Sequence, residues 1–463
     1  MASYYVDSSV PGPGTGAIGD PWDDINSNLS TLAAGDTMYL RGGANAGARQ
    51  DYTEYIQITA ANGCANGTAV NPITIQNFAG EFVRLLPGAG GPDRILDIER
   101  AWWVISGEDG DYHIEIDQNG DVSITVDIDA DDVVIQYLEI HNGGRDLITV
   151  TDAQRAQILN CKIYDCYQAP NVDAHAINVR GNADDGLIDG CEIYDPAGDC
   201  IEVFLDGVGE TKEDWIVRNC EMYATVANND RVELAIGFKG GANWKVHDNI
   251  MHGFRDVDGS AGGTGGDGQA IIIGQGGTGS EFYNNEIYDI SGVAIRVDKT
   301  GIVFHHNLIR DPTFEASIAN PYVALYVTAP GECSFHNNTV VGSLGAGTKV
   351  MRFLSGSEAD VRNNIFKDTE EIQDDGASVL TYSNNCWWNA TDTLAGANDV
   401  NDNPDFTNEG ADDFTLQAVS PCIDAGVDLG YAYRGSDPDM GAFEYVPLVG
   451  GGTVHITVIV TVV

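Results

Sequence analysis

The stretch LNCKIYD, Leu159 to Asp165, returns in altered copies: DGCEIYD ends at Asp195, RNCEMYA at Ala224, YNNEIYD at Asp289, HHNLIRD at Asp311 and RNNIFKD at Asp368. Aligned on the third letter, the copies put Leu138, Cys161, Cys191, Cys220, Asn249, Asn285, Asn307, Asn338 and Asn364 in equivalent places. A fixed phrase on spacers of unequal length marks a solenoid whose turns carry loops of different size. Within each copy apolar and polar residues alternate, as in a strand. A second strand follows, as in AINVRG from Ala176, CIEVFL from Cys200 and AIIIG from Ala270. Helix-period segments are almost absent between them. The pattern predicts an all-β chain wound as a single-stranded parallel β-helix of about twelve turns.

Equivalent positions in such a coil lie about 4.8 Å apart, so a repeated residue forms a stack. Asn at the third letter can bond its neighbour's amide and the local backbone, each bond netting about 1 kcal/mol. Cys161, Cys191 and Cys220 are expected in the same file as small, reduced, packed side chains.

Composition limits the partners. With 23 basic and 70 acidic residues in 463, the formal charge is −47. That disfavours nucleic acid and bare docking on an anionic membrane. It suits a solvated surface or the binding of hard cations. The start, MASYYVDSSVPGPGTG, does not read as a secretory leader, and no apolar run is long enough for a membrane-spanning helix. The nine cysteines form neither a disulfide framework nor a zinc pattern.

Residues 1–35 are expected to cap the coil, 36–398 to form it, 399–445 to close it and 446–463 to make a Gly hinge and strand tail. The closing stretch carries an SPCIDAG box, Ser420 to Gly426, and a DMGAFE box, Asp439 to Glu444, preceded by Asn403-Pro404-Asp405-Phe406. Together with the repeated phrases, these boxes resemble the right-handed parallel β-helix repeat proteins of the pectate-lyase-like superfamily. The resemblance implies a right-handed coil. It leaves the chemistry open, because the shape hosts pectate-lyase-like enzymes, glycoside hydrolases, adhesins and phage tailspikes.

Long spacers at Gly207 to Asp214, Thr225 to Arg231 and Arg255 to Gln269 are expected to border one patch holding Asp199, Glu202, Asp206, Asp230, Arg231, Glu233 and Lys239. NDRVELAIGFKGG, Asn229 to Gly241, is similar to the segment in which chondroitinase-B-like and alginate lyases place a calcium-binding acid and a Lys base. That resemblance implies Glu233 as calcium ligand and Lys239 as base, with Arg231 beside them. The acid-to-Lys spacing of six is one longer than the pattern, and the Arg of the next turn is missing. Asp173 and Asp199 lie one repeat apart and resemble the acids of polygalacturonase-like hydrolases, with one Asp where that family has two adjacent. Corner residues bonding their own turns have the same spacing, and His175 reads as structural. Glu202, Asp206, Asp230, Trp387 and Trp388 are expected glycan contacts, and Asp127, Asp129 and Asp131 in DIDADD are expected calcium ligands.

The sequence reading favours a virion-type protein, such as a phage tailspike, fibre or surface appendage, contacting host or environmental glycans. An extracellular polysaccharide lyase or glycoside hydrolase and a non-catalytic structural or decoration protein are the alternatives. A homo-oligomer, such as a trimer, or docking to a larger assembly through Thr453 to Val463 goes with the first. Extracellular or virion placement goes with all three.

Overall fold

The computed structural model describes all residues except 89–93, 109, 120–123, 168–172, 208, 229–230, 256–267, 313–322, 329, 343–348, 377–378 and 448–463. The expected tail strand, Asp230 and most of the 255–269 spacer lie outside the described residues. Among the described residues the strands form three parallel sheets of 14, 12 and 13 strands and one antiparallel pair. Helical structure among the described residues is limited to three short 3-10 turns, and no helix among them is long and apolar enough to cross a membrane. Contacts divide the chain into two units, Met1–Lys245 with Ser260–Asp267, and Val246–Gly259 with Gly268–Val463.

One turn of the first unit shows how the phrase works. Gln157–Leu159 lies in the 14-stranded sheet, Lys162–Tyr164 in the 13-stranded sheet and Ile177–Arg180 in the 12-stranded sheet; Leu187–Asp189 then pairs with Gln157–Leu159 to begin the next turn. Inward residues stack like on like, as with Ile163 on Ile193 and Ile193 on Met222. The second letter of the phrase makes the corner. Asn160, Gly190 and Asn219 have φ of 51°, 70° and 54°, the left-handed region that Asn, Asp and Gly enter most readily. The phrase-ending Asp165 and Asp195 do the same at the strand's other end, with φ of 58° and 55°. So the phrase is a short strand bracketed by two left-handed corners.

The third letter behaves differently in the two units. In the first, Cys161, Cys191 and Cys220 are buried, unoxidised thiols, each with Sγ near the carbonyl two residues before it. Burial holds the Cys191 and Cys220 thiols well above their ordinary pKa, so they stay protonated. In the second, the side-chain amide of each Asn donates to the side-chain oxygen of the next: Asn249 to Asn285 at 3.0 Å, Asn285 to Asn307 at 3.0 Å, Asn307 to Asn338 at 2.9 Å, Asn338 to Asn364 at 3.1 Å and Asn364 to Asn385 at 3.0 Å. The ladder ends where the Asn385 backbone N–H donates to Asp399 Oδ1 at 2.9 Å.

At the start of the first unit Ser3–Val6 pairs in parallel with Thr37–Leu40. In the second unit Phe406, Phe414, Leu416, Cys422 and Met440 pack on Leu308, Val341, Ile365 and Cys386, covering apolar surface of the last turns. Asn363 ties this segment down, accepting from the Val427 N–H at 2.9 Å and donating to the Val427 carbonyl at 2.8 Å.

Candidate functional site

The 12-stranded sheet carries an unusual outer file in the first unit. In Leu96–Ile98, Val126–Ile128, Ile148–Thr151, Ile177–Arg180, Ile201–Val203 and Leu234–Phe238, alternation turns the flanking aliphatic residues into the core and the middle residue outward. Register stacks those outward residues as Asp97, Asp127, Thr149, Asn178, Glu202 and Gly237. All are buried, and oxygens of Asp97, Thr149, Asn178 and Glu202 meet no conventional hydrogen-bond donor. Buried polar groups are ordinarily paired, so such a file marks a place built for something other than stability.

The file culminates at Glu202. One oxygen each of Asp199 and Glu202 and a ring nitrogen of His175 lie within 4.8 Å of one another. Asp199 and Glu202 are 2% and 0% exposed, and neither Glu202 oxygen nor Asp199 Oδ1 makes a hydrogen bond to a conventional donor. Gly237 leaves the room: a Cβ there would sit 2.4 Å from Asp199 Oδ2 and 2.9 Å from Glu202 Oε2. Burial, a hydrogen bond to Glu202 and the Glu202 and Glu233 charges push the Asp199 carboxyl well above the carboxylate range, against the pull of Lys239. A proton on Asp199 turns one of two facing acceptors into a donor, which accounts for the orphaned oxygens.

Three further side chains complete the group. Lys239 Nζ lies 3.0 Å from Glu202 Oε1, an ion pair without hydrogen-bond alignment, and 4.0 Å from Asp173 Oδ2. Burial alone would lower the Lys239 pKa; the Glu202 and Asp173 charges outweigh it and hold the ammonium well above its ordinary value. His175 Nδ1 accepts the Asp199 backbone N–H at 3.1 Å, so its proton is on Nε2, 3.5 Å from Asp173 Oδ1. Asp146 holds His175 in place, accepting its backbone N–H at 3.1 Å and the Asn178 side-chain amide at 2.9 Å. Asp173 and Lys239 are the open members, with side chains 51% and 42% exposed.

Asp173, Asp199, Glu202 and Lys239, separated by up to 66 residues in sequence, therefore converge, and Glu233 adds its charge. His175 and Asp146 were not among the sequence candidates; the HAI that follows Asp173 was their signal. Other candidates are engaged elsewhere. Arg231 bonds Asp165 at 2.7 Å and covers the Tyr167 ring. Asp206 is clamped by Arg180 at 2.6 Å and by the Gly181 N–H, which hold its pKa low despite burial. Trp387 is buried against Phe366 at 4.3 Å and donates to Asp399, leaving no ring face for a sugar; Trp388 beside it is half-buried. Asp127 and Asp129 meet Asp97 rather than Asp131, whose carboxylate accepts the Gln154 N–H and faces Arg155 at 3.5 Å. Asp129 is exposed, and partial desolvation beside the Asp127 and Asp97 carboxyls pushes it up to about 7.

Residues 175–366 match the family described as a right handed beta helix region. No curated protein is matched by the chain. Among solved structures it is similar to the alginate lyase from Paenibacillus sp. str. FPU-7, with 14% identity over 82% of this chain and 98% of that one and a TM-score of 0.43. The GH136 lacto-N-biosidase from Eubacterium ramulus shares 13% identity over 82% and 67%, with a TM-score of 0.47. The DFA-IIIase from Arthrobacter chlorophenolicus A6 shares 11% over 85% and 99%, with a TM-score of 0.49. With three long parallel sheets, almost no helix and a family match through its middle, this chain is a right-handed parallel β-helix protein.

Proposed function

We propose that the chain acts on a carbohydrate polymer and cleaves it by hydrolysis at the Asp199–Glu202 pair. The observation that carries this reading is the pairing itself: two carboxyl groups within 4.8 Å, shut away from water and otherwise unbonded, one pushed toward its acid form and the other facing an ammonium. That is an acid and a carboxylate with separate roles. Asp199 gives its proton to the departing glycosidic oxygen while a Glu202 oxygen bonds to the anomeric carbon. Water, deprotonated by Asp199, then displaces Glu202. Lys239 and Asp173 form the rim a sugar meets first, and drawing the Lys239 ammonium onto a substrate hydroxyl uncovers Glu202.

Elimination from a uronate, the role the sequence implied for Lys239, has less support. A base must take a proton, and this ammonium is held charged. The substrate carboxylate would also face Asp173, Glu202 and Glu233. Delivery on a virion, the setting favoured by the sequence, would use the same site as a free extracellular enzyme.

Neutral, amino-sugar and uronate polysaccharides incubated with the protein test the reading by release of reducing ends, with the product anomer followed by NMR. Asp199→Asn and Glu202→Gln should each lower the rate about a hundredfold or more, and the first-formed anomer should keep the substrate's configuration. Unsaturated uronate ends lost in Lys239→Gln would overturn hydrolysis in favour of elimination. Absence of product across the panel would overturn both.

A further inference from the structure

Three acid-rich groups stand out among the described residues, and they differ in what already satisfies them. The Asp199 group is the proposed reaction centre. The group of Glu115, Asp117 and His141 is closed by Arg49, with Nε 2.6 Å from Glu115 and Nη2 2.9 Å from Glu139. The third group, Asp97, Asp127 and Asp129, belongs to neither description. Asp97 and Asp127 are register partners on adjacent strands, an arrangement like charges avoid. Asp129 closes the group from just beyond the second strand, and one oxygen of each residue lies within 4.8 Å of the others.

The positive charge supplied here falls short. Arg94 bonds Asp127 and lies 3.5 Å from Asp97 Oδ1, an ion pair without a hydrogen bond, and its side chain is 31% exposed. The Tyr55 hydroxyl donates to Asp97 Oδ2 at 2.7 Å. Asp97 Oδ1 is left inside without a hydrogen-bond donor, on a side chain 8% exposed and within reach of the other two carboxyl groups. Three carboxyl groups face one guanidinium, and every donor is oxygen. That set suits a hard divalent cation of the calcium class and not the nitrogen- and sulfur-seeking metals.

We infer that Asp97, Asp127 and Asp129 form a calcium-class binding site for which Arg94 is the displaceable internal competitor. The ion would bridge adjacent turns of the 12-stranded sheet, and binding would turn Arg94 out toward solvent. The ligand set shares Asp127 and Asp129 with the sequence expectation and replaces Asp131 by Asp97.

Calcium titrated into the full-length chain by calorimetry, with Tb3+ as an emissive substitute excited through tyrosine, tests the assignment. A saturable site should appear, weakened about tenfold or more by Asp97→Asn or Asp127→Asn and unchanged by Asp131→Asn. Arg94→Gln should tighten it about tenfold, since it removes a competing charge a few ångströms away. Tyr55→Phe should keep binding while the sensitised emission drops. Binding equally strong in Asp97→Asn and in the parent would overturn the site, as would heats that vanish in moderate sodium chloride, which mark diffuse screening of the acidic surface. If the aspartate variants fail to fold, unchanged affinity in Arg94→Gln and undiminished Tb3+ emission in Tyr55→Phe would overturn it as decisively.

Discussion

Two buried charged groups of the first unit have nearly the same chemistry and opposite states. Around Arg49, the guanidinium bonds Glu115, Glu139 and the Tyr112 carbonyl, His141 Nε2 meets the second Glu115 oxygen at 2.9 Å, and Asn142 donates to Asp117 at 3.0 Å. Around Glu202 there are again carboxylates, one histidine and one cation, yet three buried oxygens lack a conventional donor. Acid content does not separate the two. What separates them is how the oxygens are met: around Arg49 by fixed donors, around Glu202 by a proton shared with Asp199 and an ammonium without hydrogen-bond alignment.

The sharpest way to break the comparison is to remove one carboxylate from each. Glu115→Gln takes from Arg49, 9% exposed, one of its two carboxylate partners and should cost about 2 kcal/mol, because a buried guanidinium loses a charged hydrogen bond and keeps only Glu139. Cleavage by the folded fraction should be unaltered. Asp199→Asn replaces a group already held as its acid, so stability should shift by no more than about 0.5 kcal/mol while the rate collapses. Denaturant titration at neutral pH alongside the reducing-end assay reads both. A Glu115→Gln protein as stable as the parent, or an Asp199→Asn protein that unfolds, would show that saturation does not divide structure from function here.

The Asn ladder is the saturated extreme. Asn307 uses all four of its side-chain bonds: its amide donates to Phe282 and Asn338, and its oxygen accepts the backbone and side-chain N–H groups of Asn285. Asn307→Ala strands partners on both neighbouring turns and should cost about 2–3 kcal/mol. Cys191→Ala in the other unit breaks only weak thiol contacts and should cost about 1 kcal/mol, mostly lost packing. Equal losses would mean that the ladder stabilises by packing alone.

This contrast also shows what could be read in advance. Periodicity two and the phrase spacing carry the coil, and the third letter carries the stack, because stacking repeats the same local physics on each turn. The second letter was equally visible as Asn, Gly, Asp or His, yet its left-handed corner emerges only once a strand is known to end there. At the candidate site, the one-repeat spacing of Asp173 and Asp199 announced their proximity. The partners that take Arg231, Asp206 and Trp387 out of reach, namely Asp165, Arg180 and Phe366, lie one or more turns away. Which of Asp97 and Asp131 joins Asp127 is a matter of register, and DIDADD by itself does not encode register.

The smallest test concerns a saturated group that stays neutral. In the second unit His305 gives its Nε2 proton to Glu281 at 3.0 Å, so its Nδ1 accepts from His306 Nδ1 at 2.8 Å. The Tyr431 ring stacks on His305 at 4.4 Å, and His336 meets Asp360 at 3.1 Å and the Tyr431 hydroxyl at 3.3 Å. Burial, and then the neighbouring His305 and His336 rings, push the His306 pKa down to about 3, whereas in the unfolded chain it titrates near about 6.5. Between those values the unfolded state binds the extra proton, so His306's contribution is full above about pH 6.5 and falls by about 1.4 kcal/mol per pH unit as the solution is acidified. Asp129, whose pKa is raised to about 7, has the opposite sign over part of that window, so the quantity to measure is a difference. His306→Asn suits the purpose, since Asn284, Asn337 and Asn363 hold the same left-handed corner on neighbouring turns. Its stability relative to the parent should rise by about 1 kcal/mol or slightly more for each unit from pH 6 down to pH 4. Parallel curves would mean that His306 is reached by protons in the folded state, and that its neighbourhood is as open as the rim of the Asp199 group.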